Sequence, residues 1–286
     1  MTTKLILLLK FLALVVLYFV LFSLISAIVL PPLQQPLAEN EPLSALSALM
    51  IMSFLNAAVL VYIAVRSRWS GWKLVVTLAL VFFGVATVMP QIETAVFVRT
   101  LPPGFLSRLI LAGFLFSSLY ATLVVFLLGK KKQIEGHPPA MTASITRLGV
   151  AGIIYVILYF TFGYFVAWQS PAVRNFYGGG NLNGFFNELL KTWSTTPWLF
   201  PFQFLRGLLW TILALPIIRM FRGDRFEKAL AVGLLFAVVT SQLLLPNPLM
   251  PYAVRMRHLM ETASSNFLFG CLVVWLLNSK HVETDR

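Results

Sequence analysis

The chain has 286 residues, 59% of them hydrophobic and 11% charged, with a mean hydropathy of +0.85 and a net charge of +12. A water-soluble domain carries about 25% charged residues, so these proportions exclude one. The continuous apolar runs also exclude a β-barrel, whose strands alternate apolar and polar residues over about 10 positions. What remains is an all-α, polytopic integral membrane helical bundle.

A membrane span needs about 20 mostly apolar residues. Eight segments qualify, at 4–30, 44–65, 73–93, 106–129, 145–168, 198–219, 226–245 and 252–277. Helix breakers separate them: Pro31 and Pro32, then Pro102, Pro103 and Gly104, then Pro138 and Pro139, then Pro246, Pro248 and Pro251. The first apolar run is too long for a signal-peptide core and has no small-residue cleavage site after it. It is therefore expected to belong to the mature protein. The single cysteine, Cys271, lies in an apolar run and reads as a small core side chain.

Charge sorts by side. Fifteen of the 22 basic residues fall at both termini and in the 66–73, 130–147 and 219–228 loops, and seven at the opposite ends. The ten acidic residues divide evenly, so the two sides carry +10 and +2. Basic loops stay in the cytoplasm, which predicts a cell (inner) membrane protein with N- and C-termini cytoplasmic. The +12 is thus topology, not nucleic-acid binding. Lys130, Lys131 and Lys132 fit the same bias, with contact to lipid head groups as the alternative.

Short matches recur in order. Leu17–Phe19 resembles Leu158–Phe160, Phe54–Asn56 resembles Phe204–Arg206, and Phe114–Phe116 repeats at Phe267–Phe269. They suggest a tandem 4+4 repeat, with halves 1–132 and 133–286, and membrane folds built from repeats often place their site between the repeats.

Charges within the hydrocarbon are costly and functional by default. Arg206 lies thirteen residues from the basic end at Arg219, about 20 Å into the membrane at ~1.5 Å per residue. Glu93 and His258 fall near the outer boundary. On the last span, Arg255, His258, Glu261, Thr262, Ser265 and Asn266 recur at three- and four-residue steps and form one polar stripe. An outward-facing polar pocket is therefore expected between the halves, with Arg206, Glu261, His258, Glu93, Arg108, Asn266 and Asn56 as candidate ligand-binding residues. Arg206 is expected to pair with Glu261 or Glu93. Arg255 and Arg257 are expected at the lipid interface.

The 169–197 segment predicts a short amphipathic helix in the outer interface, capped by Asn183. Phe185, Phe186, Leu189, Leu190 and Trp193 form one side, and Asn187, Glu188 and Lys191 the other. The glycines at 178–180 read as a hinge before it, and the helix as a surface anchor or a lid.

Several chemistries fail on the residues. His258 and Glu261 sit one turn apart, with Glu93 as a third candidate ligand, but a bundle metal site wants two such pairs. No metal and no cofactor is expected. The two aspartates, Asp224 and Asp285, are cytoplasmic, so an aspartyl dyad is excluded. Ser117 or Ser265 with His258 lacks a nucleophile turn. His258 as a base oriented by Glu261 is conceivable, although neighbours on one helical turn seldom hydrogen-bond in that geometry. Arg99, Arg108, Arg206, Arg255 and Arg257 outnumber Glu93 and Glu261, and guanidinium groups grip phosphate and carboxylate through paired hydrogen bonds. The expected function is binding or translocation of an anionic lipid head group or small anion, with membrane lipids as partners. The alternatives are an intramembrane enzyme acting on a lipid-linked substrate and a structural or assembly subunit of a membrane complex.

Overall fold

The computed structural model describes residues 3–31, 41–98, 101–130 and 144–278. Its elements are α1 (Thr3–Val29), α2 (Ala45–Arg66), α3 (Gly71–Phe83), a π turn (Gly84–Val88), α4 (Met89–Phe97), α5 (Phe105–Leu127) and α6 (Ile145–Phe162). There follow a second π turn (Gly163–Ala167), α7 (Pro171–Phe176), α8 (Phe185–Thr195), α9 (Leu199–Met220), α10 (Arg225–Val238), a 3-10 turn (Val239–Leu244) and α11 (Tyr252–Leu277). Among the described residues, eight helical stretches are long and apolar enough to cross a membrane, and no strand occurs. Arg99, Lys131, Lys132, His137, Asp285 and His281 lie outside the described residues.

Local chemistry sets the starts. Ser44 caps α2 by accepting from the Ser47 amide at 3.1 Å, and Ser144 accepts from the Arg147 amide at 3.3 Å before α6. Asp224 and Glu227 form a reciprocal capping box on α10, at 2.8 and 3.3 Å. The third span runs on past Pro90 to Phe97 instead of stopping near it. Proline lacks the donor that an α-helix needs. Here a wider turn precedes it, with the Met89 amide reaching back to the Gly84 carbonyl.

In lipid the hydrophobic effect does not drive helices together, so close packing must. Glycines supply it. A side-chain carbon on Gly270 would come within 2.8 Å of the Gly233 backbone, which lets α11 press onto α10. A carbon on Gly207 would lie 3.1 Å from Gly152, which brings α9 against α6. The first, third and fourth spans pack around Tyr18, Phe82, Phe116 and Tyr120. The Tyr18 and Phe116 rings lie 4.7 Å apart, and the Tyr120 hydroxyl donates to the Leu14 carbonyl at 3.1 Å. The outward side of α1 presents Leu8, Leu12, Val16, Leu24 and Ile28, an apolar surface suited to lipid rather than water.

At one end of the bundle the 66–70 and 219–224 turns meet. Ser67 and Phe221 form an antiparallel bridge, with the Arg68 amide donating to Met220 at 2.8 Å and the Arg222 amide to Arg66 at 2.7 Å. The other end holds the cavity.

Candidate functional site

A cavity of about 630 Å³ opens between α4, α6, α9, the 3-10 turn and α11. The segment around Tyr177 and the helix α8 cover it. Glu93, Arg206, His258, Glu261 and Asn266 all line it, so five residues picked from the sequence converge. Asn56 and Arg108 are not among the lining residues. Asn56 is buried on α2, where its amide donates to Met52 (2.9 Å) and to Ser241 (3.0 Å) and ties α2 to the 3-10 turn. Arg108 is exposed on α5.

Arg206 is 4% exposed. A cation at that depth must be paired. Its Nη1 donates to the Glu93 carboxylate on α4 and to Gln203 Oε1 at 2.7 Å, one turn back on α9. The guanidinium also lies over Tyr155, 5.6 Å from the ring centre. Nε and Nη2 have no hydrogen-bond partner among the described residues, and Nε is fully enclosed. One edge of the guanidinium fork is therefore unused.

Glu261 turns the other way. Its Oε2 accepts from His258 Nδ1 at 2.8 Å, a hydrogen bond between neighbours on one helical turn that the sequence alone does not predict. Its other oxygen, Oε1, faces Gly163, where an added side-chain carbon would sit 3.5 Å away. That distance is ordinary van der Waals contact, so the second π turn packs against the carboxylate without pressing on it. His258 Nε2 lies 3.1 Å from the Tyr177 hydroxyl. An ionised carboxylate only accepts, so Nδ1 carries a proton, and when the imidazole is neutral its Nε2 accepts from Tyr177. Burial, reinforced by the Glu93 and Glu261 charges, holds the Tyr177 phenol well above its ordinary pKa, so it stays a donor. The result is a hydrogen-bonded chain, Tyr177–His258–Glu261, along the cavity wall.

The basic excess expected in the pocket is smaller than its sequence count. Arg257 is exposed. Arg255 is not an interface residue: it is 0% exposed, with Nη1 and Nη2 on Glu41 at 2.9 and 2.6 Å, Nη1 also on the Met250 carbonyl at 3.1 Å, and Nε on Leu243 at 3.2 Å. It organises the 245–251 turn, a role visible in the sequence only as a proline-rich stretch with free carbonyls. Tyr177 and Gln203 had no sequence signal beyond proximity to polar neighbours.

The outer helix α8 presents three sides rather than two. Phe185, Glu188, Leu189, Lys191 and Thr192 line the cavity, while Phe186, Leu190 and Trp193 are exposed to the surroundings along with the polar Asn187 and Ser194. Gly184, not Asn183, is the capping position. The Asn183 side chain instead donates to Glu188 at 2.6 Å, and its backbone carbonyl accepts from Tyr164 at 2.7 Å, which pins the start of α8 to the second π turn. Compared with protein-family models, curated proteins and solved structures, the chain has no match.

Proposed function

We propose that the cavity binds an amphiphile or small solute bearing a single negative charge, of phosphate or carboxylate type, on the outer side of a cell membrane. The unused edge of Arg206 carries this reading. Nε and Nη2 are neighbouring donors without a protein acceptor among the described residues, and such a pair grips an oxyanion bidentately once the enclosed Nε is uncovered by the entering ligand. Aromatic side chains, among them Phe97, Tyr159, Phe160 and Trp168, line the rest of the cavity and suit an acyl chain. The outward orientation is supported by charge: Arg66, Arg68, Lys130, Arg219 and Arg222 lie at the end opposite the cavity.

The tandem repeat belongs to the same proposal. The pairs α1–α2, α3–α5 and α1–α5 have counterparts in α6–α9, α10–α11 and α6–α11, and α2 meets α10 as α3 meets α9. The two reciprocal amide bonds beside Ser67 and Phe221 exchange under such a twofold relation. Aligning those two residues sets Asn56 against Trp210 and Arg206 against Met52, a different register from the Phe54–Asn56 match. Within it, the polar site belongs to one of two related positions only.

The test is binding of dihexanoyl phosphatidylglycerol and of dimethyl phosphate to the purified full chain in phosphatidylcholine nanodiscs. Arg206→Lys keeps a cation for Glu93 but removes the fork. Losing one charge-assisted hydrogen bond, worth about 1.5–3 kcal/mol, should weaken binding by roughly 10- to 100-fold. Preference for the lipid marks a head-group site, and equal binding marks a site for the free anion. No binding of either probe, or an unchanged Arg206→Lys, refutes the proposal.

The Tyr177–His258–Glu261 chain favours a second reading, an intramembrane acid–base enzyme acting on a lipid-linked substrate. Full turnover in His258→Gln would remove it.

A further inference from the structure

We infer that the site takes up its anion together with one proton, held on His258. This rests on the anion-binding reading above and adds a stoichiometry to it. The charged side chains lining the cavity are Arg206 and Lys191 against Glu93, Glu188 and Glu261. With a neutral imidazole the lining carries one net negative charge, and an entering anion would make it two. Such an excess is unfavourable where water is scarce. A proton on His258 brings the empty lining to neutrality and leaves a single negative charge once the anion is bound.

The hydrogen bonds change in the same direction. In the neutral form, Nε2 accepts from Tyr177. Protonation makes Nε2 a donor, so the Tyr177 oxygen must accept and its hydrogen is released toward the cavity, where it can meet an oxyanion. Glu261 stays on Nδ1 and holds the imidazolium.

Among the described residues, the cavity lining around His258 contains no unpaired cation that could replace this proton. On its own helix, Arg255 is closed by Glu41 and Arg257 is exposed. From α4 comes Glu93, from α6 Tyr159 and Tyr164, and from α9 Arg206, already paired with Glu93. On α7, Arg174 donates to the Trp168 carbonyl at 2.6 Å. The 3-10 turn offers Thr240 and Gln242, which do not titrate, and the charged residues of α10 (Arg225, Glu227 and Lys228) sit in its first turn at the opposite end. Lys191 and Glu188 on α8 offset each other at the rim.

Calorimetry of the full chain in phosphatidylcholine nanodiscs decides the matter. The probes are dimethyl phosphate and dihexanoyl phosphatidylglycerol, phosphodiesters whose charge does not change near neutral pH. Titration in buffers of different ionisation enthalpy counts protons. For the wild type, close to one proton should enter per anion above the range where histidine protonates on its own. Affinity should fall about tenfold per pH unit there. His258→Gln should bind more weakly, take up no proton and show a flat pH profile. Arg206-dependent binding by the wild type without proton uptake overturns this inference and leaves the anion site standing, whether or not the variant folds. Unchanged uptake in His258→Gln overturns it as well. Failure of the wild type to bind either probe at any pH overturns both.

Discussion

Both terminal nitrogens of Arg255 end on the Glu41 carboxylate, across 214 residues of chain. Arg255 is fully enclosed, and Glu41 is its only anionic partner among the described residues. Removing one partner of a buried pair leaves an uncompensated charge, which costs about 3–5 kcal/mol. Glu41→Ala should therefore lower the unfolding midpoint strongly in thermal scans of the purified protein. Glu41→Gln, which retains an acceptor, should lower it less. Equal, small effects would contradict the pairing.

Arg206 and Glu93 offer a cleaner cycle, because replacing both partners by neutral groups avoids the stranded charge. Arg206→Met alone should destabilise by about 3–5 kcal/mol, while Arg206→Met with Glu93→Gln should recover most of that loss. Unfolding free energies of the four proteins would give the coupling. Additive losses would show that the two side chains do not depend on each other.

Glycine at the α10–α11 crossing should tolerate nothing larger. A side-chain carbon at Gly270 meets Gly233 backbone at 2.8 Å, and the backbone cannot swing aside as a side chain can. Gly270→Ala should cost about 1–3 kcal/mol through overpacking. Gly149→Ala, in open space on α6, should be neutral or stabilise by up to about 1 kcal/mol, because alanine suits a helix better. Melting curves of the two variants separate the steric cost from helix propensity.

Lys130 lies outside the spans, with its Nζ donating to the Ser67 carbonyl at 3.0 Å. Burial first, and the Arg222 charge second, lower its pKa. The unfolded chain therefore binds this proton more tightly than the folded one. The penalty is full below the lowered pKa and disappears as pH rises to the ordinary lysine value, so stability should climb across that alkaline window. Lys130→Gln, which still donates to Ser67, should flatten the climb in a series of unfolding midpoints against pH.

The spans were legible because an uninterrupted apolar run announces itself by length alone, and their observed ends differ from the expected ones by a residue or two nearly everywhere. Pro90 is the exception, since a single wide turn upstream removes the demand for its missing donor. The α11 stripe told which side of the helix is polar. It could not tell that Arg255 and His258, one turn apart, face different company, because Glu41 is distant in sequence. Depth counting put Arg206 inside the membrane and named Glu93 and Glu261 as partners. Choosing between them depends on how α9 is rotated toward α4 and on Glu261 turning to His258, neither of which leaves a periodic trace. Tyr177 joins His258 from an irregular segment, where hydropathy is silent.

The ion pairs have a direction along the chain. Glu41 precedes the second span and Glu93 lies in the third, and the arginines that close on them, Arg255 and Arg206, lie in the eighth and sixth. During synthesis both carboxylates are made long before their counter-charges exist. Arg206 arrives in the sixth span, but Glu41 waits until residue 255 has left the ribosome. The eighth span thus brings the counter-charge that Glu41 needs, and a chain stopped before α11 would leave that carboxylate without Arg255.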